Sequence, residues 1–154
     1  MVRIKIGAEV MRNNIRARVR FDYKGWKKVS RFFFGNKSSD KIATEIRQQQ
    51  AIQLRNVPLH NISIEEINTD IPLYTIYQEQ TDEVLAYAPM ELIISASNIE
   101  DIMCFILREE LRRVEILEPD QICITRGDME RCFVRINERV RDLSEDIYNK
   151  ASDR

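Results

Sequence analysis

The chain has 154 residues, 32% of them charged and 44% hydrophobic, with a formal net charge of −1. This excludes a disordered polar chain and suits one full core or two small modules sharing an interface. Four glycines and four prolines exclude Gly-rich phosphate-cradling loops and favour a few long elements joined by short turns.

The near-neutral total conceals a division. Residues 1–56 hold 14 Lys/Arg against 4 Asp/Glu, a net of +10, whereas residues 57–154 hold 10 against 21, a net of −11. Such a division suits a polyanion-binding face, two halves that dock on each other, or copies that associate. Arg3 and Lys5 fall inside what would be the apolar stretch of a signal peptide. The longest apolar run, Ile102 to Leu107, is six residues, against the roughly 20 that span a bilayer. A cytoplasmic protein that does not contact membranes is therefore expected. Cys104, Cys123 and Cys132 are odd in number and lack C-x-x-C spacing, so they read as buried reduced thiols.

In chain order, Val2, Ile4 and Ile6 alternate with Arg3 and Lys5, which predicts a first strand. After a turn at Arg12-Asn13-Asn14, Ile15, Ala17, Val19, Phe21 and Tyr23 oppose Arg16, Arg18, Arg20 and Asp22. That is a half-buried strand with one charged face. Lys24-Gly25 turns into a third strand, Trp26 to Phe34. Ser38, Ser39 and Asp40 then offer caps for a helix reaching about Gln53. Pro58 marks a boundary. Ile62 to Ile67 fits either a strand or, through Ser63 and Glu66, one short capped helix. Leu73–Tyr77 and Val84–Ala88 form a hairpin, and Met90–Ala96 is an apolar central strand. Ser97 to Glu100 has capping-box spacing and opens a helix to about Arg113. Short strands follow at Val114–Leu117 and Gln121–Ile124. Thr125 caps a last helix with Asp128 in its first turn.

The fold class expected is α+β: an N-terminal antiparallel β-β-β-α module over 1–56, then a mixed α+β part over 57–154 with two amphipathic helices. The two parts are either separate units or one continuous domain.

Arg16, Arg18 and Arg20 project from one strand face, and Lys27, Lys28 and Arg31 crowd the next turn and strand. Arginine forms charge-assisted, often bidentate bonds to phosphate, so this face is a candidate nucleic-acid contact. Tyr23 and Trp26 interleave with it as candidates for base stacking. The competing reading is a face solvated by water or paired with the protein's own acidic half. Phe32 to Phe34 cannot all enter one core, because adjacent strand residues point to opposite faces.

The run from Ile15 to Gly35, followed by a Ser-capped helix, resembles the three-strand-plus-helix modules of ethylene-response-type domains and arm-binding integrase domains. That resemblance covers about a third of the chain and is one of architecture only. It implies a sheet laid in the DNA major groove, with Arg16, Arg18, Arg20, Lys27 and Arg31 aimed outward.

In the last helix, Met129, Phe133, Ile136, Val140, Leu143 and Ile147 repeat at spacings of 4, 3, 4, 3 and 4. The plain reading is an amphipathic helix packed on its own sheet. The sharper one is a homo-oligomer interface built on Phe133, Ile136, Val140 and Leu143. The apolar Ile102–Leu107 helix adds to the expectation of an oligomer.

Catalytic chemistry finds no support. His60 is the single histidine and stands in a linker without a nucleophile, and no metal-ligand spacing or cofactor motif is present. An enzyme for a small acidic metabolite would need a concave pocket lined by the same arginines. Arg126-Gly127-Asp128 reads as a helix start. The sequence thus supports a non-enzymatic binding or regulatory protein whose basic sheet contacts nucleic acid. The alternative is an interaction or assembly factor that uses the basic face on an acidic protein and the apolar C-terminal helices on a partner.

Overall fold

A computed structural model describes residues 3–6, 9–12, 14–26 and 37–152, the first two stretches by backbone alone. The fold is α+β. Strands β1 (Arg3–Ile6) and β2 (Glu9–Arg12) make a separate antiparallel pair. Five further strands form one antiparallel sheet: β3 (Ile15–Lys24), β4 (Ile62–Asn68), β5 (Tyr74–Gln78), β6 (Glu83–Ala96) and β7 (Leu111–Glu118). Helices α1 (Ser39–Asn56), α2 (Ile99–Ile106) and α3 (Arg126–Ser152) complete it. Across the sheet the order is β4-β6-β3-β7, and β5 pairs with the first half of β6.

The alternation of β3 does what period two requires. Ile15, Ala17, Val19, Phe21 and Tyr23 are buried on the face beneath α1 and α2. Met90, Leu92, Ile94 and Ala96 of β6 join them from the neighbouring strand. Ile102 and Phe105 of α2 close the layer, with the Phe105 ring edge-on to Phe21 at 5.9 Å. Strand β3 from the basic half lies between β6 and β7 from the acidic half, so the two halves share one core. The charged residues of β3 then face outward together.

Proline 89 interrupts the expected hairpin and central strand, yet β6 runs unbroken through it for 14 residues. On one edge, β6 pairs with β5 from Glu83 to Tyr87 and with β4 from Glu91 to Ala96. Pro89 sits in the gap between these partners, where no ladder N–H is needed, which is where a strand tolerates proline. The Arg47 side chain fills that gap from α1: its Nη1 donates to the carbonyls of Ile71 (2.8 Å) and Pro89 (3.0 Å). Burial pushes the Arg47 guanidinium below its ordinary pKa.

The start of α1 is tied to the sheet at Gly25. Ser39 Oγ donates to the Gly25 carbonyl at 2.9 Å and accepts from Ala86 N at 2.8 Å. A Cβ on Gly25 would lie 2.1 Å from the Ser39 carbonyl oxygen, so the close approach requires glycine.

Of the two readings open for Ile62–Ile67, the strand is the one observed. Several local expectations are corrected. Gln121–Ile124 is not a strand. Helix α2 stops at Ile106 instead of near Arg113, with Asn98 rather than Ser97 as its cap, accepting from Asp101 N at 2.9 Å. Residues 111–113 are good helix formers, but pairing of Leu111 with Phe21 recruits them into β7. Of the cysteines only Cys132 is buried; Cys104 and Cys123 are exposed and all three are free. The expected strand Trp26–Phe34 and the Phe32–Phe34 run lie outside the described residues from position 27 onward.

Replacing Arg47 by methionine keeps the stem but leaves two carbonyls without their donor. It is expected to destabilise the fold by about 1–3 kcal/mol, measured as a lower denaturation midpoint at unchanged slope.

Candidate binding surfaces

The three arginines predicted to bind phosphate stand in a row on the face of the sheet turned away from α1 and α2, and each meets carboxylates. Arg16 donates through Nε (3.0 Å) and Nη2 (2.8 Å) to Glu65 Oε2 on β4, and its Nη1 lies 3.5 Å from Glu118 on β7. Hydrogen bonding to Glu65, then the charge of that carboxylate, raises the Arg16 pKa above its ordinary value. Arg18 contacts Glu115 on β7 at 2.8 Å and Glu91 on β6 at 3.5 Å. Arg20 Nε donates to Asp22 Oδ1 at 2.8 Å, and Asp22 Oδ2 accepts from the Tyr74 hydroxyl at 2.6 Å. The basic strand is thus flanked by its own acidic neighbours across both ladders.

At the far end of this face the charges are less matched. Tyr87 lies opposite both Lys24 and Tyr74, and the two tyrosine rings stack at 5.2 Å. Lys24 Nζ sits 3.6 Å above the Trp26 ring, and the Arg112 guanidinium lies 5.8 Å from the Tyr87 ring centre. Neither Lys24 nor Arg112 makes an ion pair among the described residues. Trp26 is 48% exposed. Tyr23, the other expected stacking residue, is 2% exposed and points into the core, because it shares the phase of Phe21. Burial raises the pKa of its hydroxyl well above the ordinary phenol range. Lys27, Lys28 and Arg31 lie outside the described residues. A concavity of about 520 Å³ opens between the end of α1 and β4, beside Leu54, Leu59, Ile62 and Ile67, and touches none of the three arginines.

The third surface is α3. Thr125 and Asp128 cap it reciprocally: Asp128 N donates to Thr125 Oγ1 at 3.1 Å, and Thr125 N to Asp128 Oδ2 at 3.4 Å. Hydrogen bonding with Thr125 holds the Asp128 carboxyl below its ordinary pKa. Arg126-Gly127-Asp128 is simply the first turn. The helix packs on α2 rather than on the sheet, and none of its side chains joins the main core. Arg131 and Arg135 each place Nε 3.2 Å from Glu100, Cys132 is buried, and Arg139 donates to the Leu107 carbonyl. The 27 residues of α3 extend about 40 Å, while the eight of α2 extend about 12 Å. So short a neighbour cannot cover so long a helix.

The heptad row therefore splits. Met129, Ile136 and Leu143 lean toward the anchored side and stay partly shielded, Met129 and Ile136 at 39% exposure. Phe133, Val140 and Ile147, seven residues apart, are 64%, 55% and 68% exposed.

Comparison with known proteins found no matching family, no matching curated protein and no matching solved structure. Among the described residues no helix is long and apolar enough to cross a membrane, and no group of three His, Cys, Asp or Glu is placed to hold a metal. Sequence reading missed Glu65, Glu91, Glu115 and Glu118 as partners of the arginines. Their outward phase within each strand was a usable signal, but the strand order that brings them to β3 was not.

The exposed Arg18–Glu115 pair is expected to contribute about 0.2–1 kcal/mol in a double-mutant cycle. Arg20→Ala strips its partner from an Asp22 that is only 3% exposed. It should destabilise more, by about 1–3 kcal/mol, in chemical denaturation.

Proposed function

We propose that this protein is a non-enzymatic interaction module that engages an apolar helical partner through the outer row of α3. The observation that carries the reading is the exposed line Phe133–Val140–Ile147 on a helix held by a different side, through Cys132, Arg135 and Arg139. Large apolar side chains aligned over about four turns are seldom left to water in a monomer. Among the described residues the main core contains none of them. Of the two functions that the sequence supports, this is the assembly role, because the arginine face is already occupied by Glu65, Glu91, Glu115 and Asp22.

Phe133→Asp combined with Val140→Asp is expected to keep the parent unfolding midpoint. The same variant should lose about tenfold or more in affinity for amphipathic helical peptides, the 126–152 sequence included, in a fluorescence titration. A collapse of the midpoint, or no peptide binding by the parent, overturns the reading.

One observation favours a second reading, nucleic-acid contact at the end of the sheet: among the described residues Lys24 and Arg112 make no ion pair, and they lie over the exposed Trp26 ring and the Tyr87 ring respectively. Lys27, Lys28 and Arg31 would extend this patch. It predicts single-strand oligonucleotide binding that falls steeply with salt and is lost in Lys24→Glu/Arg112→Glu. Binding that ignores both salt and these substitutions ends it.

A further inference from the structure

We infer that the occupant of the α3 row is a second copy of this chain, paired in parallel as a short two-stranded coil; this rests on reading α3 as a docking surface. The 4-3 spacing assigns Phe133, Val140 and Ile147 to a positions and Met129, Ile136 and Leu143 to d positions. β-Branched residues at a, with leucine at d, favour two parallel strands, and Val140, Ile147 and Leu143 follow that rule.

The flanks decide between orientations. The g positions are Cys132, Arg139 and Asp146, and the e positions are Glu130, Asn137, Ser144 and Ala151. A parallel pair sets each g residue against an e residue of the other copy, giving Cys132–Asn137, Arg139–Ser144 and Asp146–Ala151. None of these contacts joins like charges. An antiparallel pair sets g against g. Centred on the row, it would bring the two Arg139 side chains together at the two-fold axis.

Packing within the chain argues the same way. The g flank is the side that α3 uses on its own domain, since Cys132 is buried there and Arg139 bonds Leu107. Antiparallel pairing would drive both domains onto one flank of the coil, in the same space. Parallel pairing places one domain on each flank, with the a row of each copy open to the other. The partly shielded d row and the exposed a row are what such a seam needs before it closes.

The test uses the full chain with Ile147→Cys in a Cys104→Ser/Cys123→Ser background, both replaced thiols being exposed and outside α3. In a parallel pair the two 147 positions face each other, within disulfide reach. In the antiparallel register each faces Met129, leaving them about 27 Å apart. Sedimentation is expected to show mass rising from one chain to two with concentration, and mild oxidation to cross-link the 147 thiols. Adding Phe133→Asp should abolish both while keeping the unfolding midpoint that the parent shows at concentrations where it is monomeric. A chain that stays monomeric at all concentrations, yet whose folded row still binds unrelated helical peptides, overturns the second copy and leaves the docking surface standing. A dimer without cross-linking overturns the parallel arrangement. Unfolding of the Phe133→Asp chain overturns the docking surface itself.

Discussion

Strand β3 is paired on both sides: ten of its residues register with β6, and Arg16 to Phe21 register with β7. This double ladder satisfies the backbone of the most basic segment and fixes the phase of its side chains. Phe21 and Val19 enter the core because Arg18 and Arg20 point away from it. A slip of one residue would exchange the two faces, burying arginines under α1 and exposing the apolar row. The core and the charged face are two consequences of one register.

The same register explains the fate of the charge division. Opposite charges in two separate bodies would attract only over a screened distance. Interleaving β3 with β4, β6 and β7 instead puts carboxylates within bonding reach of Arg16 and Arg18. Individually such exposed pairs contribute little, so the fold does not depend on their energy. Their effect is on recognition: a face lined with satisfied arginines offers fewer open phosphate sites than the sequence count suggests. Where β3 ends, Lys24 stands over the Trp26 ring without an ion pair among the described residues.

A mismatch of length governs the other surface. Once α1 and α2 cover the sheet, α3 arrives with 27 residues and finds the eight of α2 to lie on. Its arginines and Cys132 take that contact, and its apolar line is turned a quarter of the way round toward solvent. The buried Arg47 is the reverse case. It is a charged side chain on a helix that the sequence gives no reason to distinguish, and it is drawn inward because β4 and β5 leave the Pro89 carbonyl without a strand.

Local pattern was enough for much of this. Alternation in Ile15–Tyr23 identified β3 and its inner face, and the Ser39 and Thr125 regions marked helix starts. The 4-3 spacing located the α3 row, because strand and helix periods are properties of consecutive residues. Three features were decided by contacts distant in sequence. Helix-forming Leu111–Arg113 became strand through pairing with Phe21, Arg47 was drawn to the Ile71 and Pro89 carbonyls, and Glu65 and Glu115 were delivered to the arginines. The sequence by itself determined that one strand would carry a row of positive charge and one helix a row of apolar side chains. Only the tertiary structure decided that the charged row meets its own carboxylates and the apolar row meets no part of the described chain. Pairing order and helix length are set by which elements find room beside each other, and no local period encodes that.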